Sequence, residues 1–144
     1  TYFVFNFSTA ATAAFKDKLP LPPAPGRMGS AIWNWSDLKV AATKTGERRD
    51  VVDSPTSTLR NFECHITTIN AGIAPHPPHN HGDEEFVLVK EGELDVTING
   101  ITTRAAPGSI VFISSGDEHG WTNPGSVPAT YYVVRLISES TPTS

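Results

Sequence analysis

The densest chemistry in the chain lies in "HPPHNHGDEE", His76 to Glu85, where three of the five histidines and three carboxylates share ten residues. His79 and His81 are two apart, so in extended backbone both rings project to one side and can share an ion. Glu85, four residues further on, has the same parity, and Gly82-Asp83 lets the chain turn before the next strand begins. A pair of neutral imidazoles with one carboxylate is a recurring ligand set for zinc, iron, manganese, nickel or copper. For His-x-His alone the plain alternative is a surface pair in a proline-rich loop. His119, in "SSGDEHGWTN", stands at a turn-to-strand junction from which barrel closure can bring a third imidazole to the same ion.

The elements that must position these residues are strands. From residue 58 onward, short β-rich runs alternate with turn chemistry: "TLRNFECHITTI", "EEFVLV", "ELDVTI", "ITTRAA", "SIVFI", "EHGWT" and "ATYYVVRLI". Asn99-Gly100 favours a two-residue type I′ hairpin. In "ELDVTI", Leu94, Val96 and Ile98 share one face, and Glu93, Asp95 and Thr97 the other. "SIVFI" and "FVLV" are apolar on both faces, so a second sheet, the N-terminal leader or a partner chain must cover them, and a homodimer is expected. No sustained 3.6-residue periodicity occurs, which argues against a helical domain.

At 144 residues the chain has the size of one domain. The expected division is an N-terminal extension over 1–57 that wraps the barrel or a dimer partner, a barrel over 58–138, and a tail over 139–144. In the extension "TYFVFNF" is β-like, "LPLPPAPG" is kept from helix and central strand by proline, Ser36 can cap a helical turn at Ser36-Asp37-Leu38, and "GERRD" reads as a solvated turn. A net charge of -4 gives no basic footprint for nucleic acid, and no apolar run reaches the length of a membrane span. Cys64 is the one cysteine, so no internal disulfide forms. The start at Thr1 fits a leader already removed or a trimmed chain, leaving a soluble cytoplasmic or exported protein open; the sequons Asn6-Phe7-Ser8 and Asn34-Trp35-Ser36 are weak signals of secretion.

Two spaced motifs resemble a known family. Gly72, six residues, His79-x-His81, three residues, Glu85, six residues and Gly92 resemble the first cupin motif, which usually has five residues before its first histidine. Gly108, five residues, Ser114-x-Gly116, two residues, His119, three residues and Asn123 resemble the second, with serine where proline is usual. The resemblance covers about residues 70 to 125. It implies an all-β, double-stranded β-helix barrel of jelly-roll type. It also implies one divalent transition metal ion (Mn, Fe, Zn, Ni or Cu) held by His79, His81, Glu85 and His119. Left without partners inside a narrow barrel, four such polar groups would each cost about one to several kcal/mol, which a cation removes.

Other residues are candidates for chemistry. His65 shares a strand face with Glu63, Thr67 and Ile69 and is read as an inward second partner or proton shuttle, or as a structural histidine. His76 has the opposite parity to His79 and belongs to the mouth, while Asp83 and Glu84 read as solvated turn residues. Tyr131 and Arg135 alternate with their neighbours on the last strand, where Tyr131 is a candidate base and Arg135 a candidate for an anionic substrate or an exposed cover of the sheet. Trp33, Trp35 and Trp121 read first as packing anchors, with Trp121 closest to the site; Arg48 or Arg49 can fold over the mouth; Cys64 faces away from His65 as an inert thiol. The reading that results is a metal-dependent enzyme on a small oxygenated or carboxylated molecule, by sugar-acid isomerisation or ring opening, decarboxylation or dioxygenation. The alternative is a module that binds a metal or small ligand without turnover.

Overall fold

In the computed structural model of the protein, residues 2–15 and 24–142 are described. Among them the chain forms β1 (Ala41–Ala42), β2 (Gly46–Ser54), β3 (Asn61–Ile69), β4 (Glu84–Glu91), β5 (Leu94–Ile98), β6 (Ile101–Ala105), β7 (Ile110–Ile113), β8 (His119–Thr122) and β9 (Ala129–Ile137). They make two antiparallel sheets, one of six strands ordered β1-β2-β3-β9-β4-β7 and one of three ordered β6-β5-β8. Every run expected from residue 58 onward forms a strand, and the all-β barrel expectation holds. Asn99 and Gly100 both have positive φ, 47° and 81°, as the type I′ turn between β5 and β6 requires. The apolar faces meet between the sheets, where Ile69, Val87, Leu94, Val96, Ile113 and Val133 form one buried cluster with Trp121 and Tyr131.

The motif positions other than the metal candidates hold the barrel together. Gly92 has φ 73°, and a Cβ there would stand 2.6 Å from the Cα of Ala129, so only glycine lets β4 turn past the start of β9. Asn123 is fully buried: its Nδ2 donates to the carbonyls of Ile69, Asn70 and Val127, and its Oδ1 accepts from the Gly125 amide at 2.9 Å. That side chain satisfies backbone groups where three loops converge, and it closes one end of the barrel.

Residues 1–57 depart furthest from expectation. "GERRD" is not a turn but the start of β2, which pairs with β3 over its whole length with one bulge between Asp50 and Val52. The six-stranded sheet therefore begins at Ala41, inside the segment assigned to the extension. Charge hid the strand: Arg48 and Arg49 point to opposite faces and each finds partners there. Of "TYFVFNF", the described residues 2–7 form no strand, and Phe5 lies on the outer face of the large sheet against Phe86 at 5.0 Å, with Phe86 against Phe112 at 5.1 Å. A six-residue helix α1 (Ala10–Phe15) follows, unforeseen, with Thr9 and Thr12 exchanging backbone-to-hydroxyl bonds at its start. The helical turn near residue 36 is a 3-10 turn over Trp35–Asp37, and Ser36 sits within it rather than capping it. Trp33 and Trp35 are exposed, 41% and 42%, not packing anchors; Trp35 lies between the Arg49 guanidinium and the Lys90 ammonium. Leu19–Pro23 of the proline stretch and the last two residues of the tail fall outside the described residues.

Candidate metal centre

His79 and His81 sit in the loop before β4, and the loop is sewn to the segment that enters β8. His79 and His119 exchange backbone hydrogen bonds in both directions, at 3.0 and 2.8 Å. The Gly116 amide donates to the His81 carbonyl at 2.9 Å, and the Ser115 hydroxyl to the Gly82 carbonyl at 2.7 Å. Irregular backbone is thereby held as firmly as a strand pair. The rings of His79 and His119 lie 4.6 Å apart, those of His81 and His119 4.9 Å, and those of His79 and His81 5.4 Å.

One ligand atom from each of His79, His81 and His119 falls within 4.8 Å of the others. An ion with bonds of about 2.1 Å holds neighbouring ligand atoms about 3.0–3.4 Å apart and opposite ones about 4.2 Å apart, so small side-chain rotations bring the three onto one ion. Glu85, on β4, stands outside this three-histidine group, with its Oε2 3.4 Å from His81 Nε2. His81 Nε2, His119 Nε2 and Glu85 Oε1 are buried without any hydrogen-bond partner. Orphaned nitrogens on clustered histidines are what a cation site presents, and three imidazoles with a carboxylate beside them suit a divalent transition metal. The second nitrogens are already committed: His81 Nδ1 donates to the Asp83 carbonyl at 3.0 Å and His119 Nδ1 to that of Asp117 at 2.9 Å, which leaves each Nε2 as an acceptor.

The electrostatics agree at the histidines. Burial pushes Glu85 up to about 7, with Arg135 opposing and Asp83 and Glu63 adding to the rise. His79 is drawn down to about 4, first by its partial burial and then by repulsion from His76, His119 and His81. Burial also lowers His119. The neutral imidazole is the state a metal requires at His79 and His119, whereas the Glu85 carboxyl holds its proton more tightly than usual and a bound cation would have to displace it.

A family model, the Cupin domain, matches residues 65–135, a span that holds all four of these residues. The chain belongs to the cupin superfamily. Its fold is similar to an RmlC-like cupin from Shewanella frigidimarina (14% identity, 78% of this chain and 95% of that one, TM-score 0.63). It is similar also to the polyketide cyclase RemF from Streptomyces resistomycificus (23% identity, 76% and 80%, TM-score 0.61). A sugar phosphate isomerase from Silicibacter pomeroyi shares the fold less completely (23% identity, 63% and 60%, TM-score 0.52). No curated protein sequence matches the chain.

In this cupin His79 and His81 line an open cavity of about 310 Å³, together with Arg48, His65, His76, Glu85, Trp121, Tyr131 and Arg135, and His119 is buried behind them. Cross-strand register explains the convergence. Glu63 on β3 and Glu85 on β4 both pair with Arg135 on β9, so the three share one inward row. Asp83, expected in solvent, is 6% exposed and takes a bidentate ion pair from Arg135, Nε to Oδ2 at 2.5 Å and Nη2 to Oδ1 at 2.8 Å. Burial works against the Asp83 anion, but the guanidinium prevails and holds its carboxyl below the usual range. Its Oδ1 is also 3.2 Å from His81 Nδ1. Arg135 thus braces the histidine loop through Asp83 and also lines the cavity. Sequence spacing carried no sign of this, because Asp83 and Arg135 are brought together only by the β4–β9 pairing.

The remaining candidates separate. His76 is exposed at the rim, its ring edge-on to His79 at 4.5 Å. Trp121 is buried, stacks on His119 at 6.1 Å, and has an indole Nε1 with no partner. Tyr131 is buried against Trp121, and burial pushes its phenol up to about 12. Arg48 lines the cavity while Arg49 turns outward beneath Trp35. Glu84 is exposed, as expected of a turn residue. Cys64, half-buried on the face away from His65, is pushed up to about 12 by burial and the nearby Glu63 charge, so it stays a thiol.

Proposed function

We propose that this cupin is a metal-dependent enzyme acting on a small oxygenated or carboxylated molecule. The observation that carries the reading is the cluster of His79, His81 and His119, with His81 Nε2 and His119 Nε2 buried and unpartnered, beside a cavity that His79, His81 and Glu85 line. His79, His81, Glu85 and His119 would hold one divalent transition metal ion, Mn, Fe, Zn, Ni or Cu. Such an ion supplies Lewis-acid polarisation of a substrate oxygen and two further positions beside its four protein ligands. Trp121 Nε1 offers a substrate acceptor a donor already stripped of water, and His76 closes over the mouth. The cavity admits a molecule the size of a sugar acid or short keto acid. Sugar-acid isomerisation or ring opening, decarboxylation and dioxygenation all begin from such a complex.

The test is elemental analysis of protein purified without an affinity tag. About one transition metal ion per chain is expected, lost in His81→Ala; unchanged metal content in that variant would sink the assignment. The loaded protein is then screened with uronates, keto acids and diols while oxygen consumption is followed. Binding without turnover across the panel would move the reading to a non-catalytic ligand-binding module. We further propose a homodimer formed over the outer face of the large sheet, where Ile110 and Phe112 are each 48% exposed; light scattering at the mass of one chain would exclude it.

A further inference from the structure

Resting on that metal-dependent reading, we propose that His65 is the proton-transfer group of the site, oriented by Glu63, and that the reaction is a proton shift at carbon. Isomerisation, epimerisation or tautomeric ring opening of a hydroxy- or oxo-acid fits; dioxygenation does not. His65 Nδ1 lies 2.6 Å from Glu63 Oε1, and Glu63 is 8% exposed. A buried carboxylate at that distance accepts a hydrogen bond from Nδ1–H and so leaves Nε2 as the basic nitrogen. Nε2 has no hydrogen-bond partner among the described residues, and the ring lines the cavity. Arg48 Nη2 meets the same Glu63 oxygen at 3.3 Å and keeps the carboxylate in place.

The placement suits a transfer across the cavity. β3 and β4 flank β9; His65, level with Val133, lies two residues along from the row of Glu63, Arg135 and Glu85, and both His65 and Glu85 line the cavity. In the step, Nε2 takes a proton from a carbon beside a carbonyl, and the C–H electron pair becomes the C=C bond of an enediol or enolate as the carbonyl π pair moves to oxygen. The imidazolium formed is stabilised by Glu63, and Nε2 returns the proton either to the same carbon, as the oxygen's pair re-forms the original carbonyl, or to the former carbonyl carbon, as the enediol hydroxyl becomes the new carbonyl and its proton passes to the enolate oxygen; both leave the ring neutral. No oxidant is consumed. The charged groups facing His65 are Arg48 and Asp50 from β2, Glu63 on β3, Glu85 from β4 and Arg135 from β9. The rival bases are less well placed. His76 stands at the rim with Nδ1 against the Pro77 carbonyl, and Tyr131, though it lines the cavity, is 1% exposed with a phenol that burial keeps protonated.

The test uses the full chain loaded with zinc, incubated in D2O with D-glucuronate, D-galacturonate and 2-oxobutyrate, and reads deuterium beside the carbonyl by NMR. Wild type exchanges one such position; His65→Gln loses about 100-fold or more with zinc content intact, and added imidazole restores exchange to His65→Ala. Glu63→Gln lowers kcat about tenfold with KM unchanged, the mark of a positioning residue. Independently of any variant, 15N-histidine correlations place the His65 proton on Nδ1. Exchange at the wild-type rate in His65→Gln, or an Nε2–H tautomer, overturns the proposal. So does a zinc-loaded wild type that exchanges nothing in the panel. A wild-type chain that fails to retain zinc overturns the metal-dependent reading instead.

Discussion

The site has two halves built by different means. The imidazole half sets His79 and His81 on irregular backbone and His119 at the buried start of β8, and is aligned by backbone bonds between the histidine loop and the segment entering that strand. The wall half, Glu63, His65, Glu85 and Arg135, rides on three adjacent strands and is aligned by side-chain contacts across the inward row. Asp83 joins them, held by Arg135 on one side and touching His81 on the other. The difference teaches where tolerance lies. A ligand loop pinned through its main chain is indifferent to most of its side chains, whereas a wall pinned through ion pairs is not.

Variants should sort accordingly. The largest effect is expected from His119→Ala, which removes a ligand and should weaken zinc affinity by well over about 100-fold, beyond the range seen for supporting residues. Isothermal titration reads it, and a loss under tenfold would remove His119 from the shell. Next comes Asp83→Asn, which breaks the brace between wall and loop and should cost about 10- to 100-fold in metal affinity, like other outer partners of ligating histidines. Third is acidity. Glu85 is raised to about 7 in the metal-free protein, so below that pH a proton competes with the ion, and affinity should fall by up to about tenfold per unit. The dependence should flatten in Glu85→Gln; a pH-independent affinity in wild type would take Glu85 out of the site. The smallest effect belongs to Ser115→Ala, which removes one hydroxyl bond to the Gly82 carbonyl and leaves the backbone bonds of the loop in place. A factor of about three or less is expected. If it rivalled Asp83→Asn, the contrast between the halves would collapse.

The imidazole half was readable because its information is local. His79-x-His81, the interval to Glu85 and the turn glycines Gly92 and Gly116 are spacings along the chain, and the strands between them announce themselves by alternation. The wall half was not readable. His65 was visible as an inward residue, but nothing in "NFECHITTI" tells whether Glu63 bends toward it or toward solvent; Arg48 from β2 decides that, and β2 itself was concealed within "GERRD". Asp83 looked like a turn residue because its partner lies 52 positions away. Trp35 looked like an anchor because bulk suggests burial, yet flanking cations hold it at the surface.

Taken alone, then, the sequence determined the strand order along the chain, the hairpin at Asn99-Gly100, and an ordered donor set whose chemistry suits a transition metal. Tertiary structure alone decided which carboxylates are buried, that Arg135 is ion-paired with Asp83, and that His65 is gripped by Glu63 with its ring at the cavity. The physical reason is that periodicity and turn chemistry act between near neighbours. Ion pairs inside a barrel depend on register between strands distant in sequence, and one residue of slip would turn each of those side chains to the opposite face.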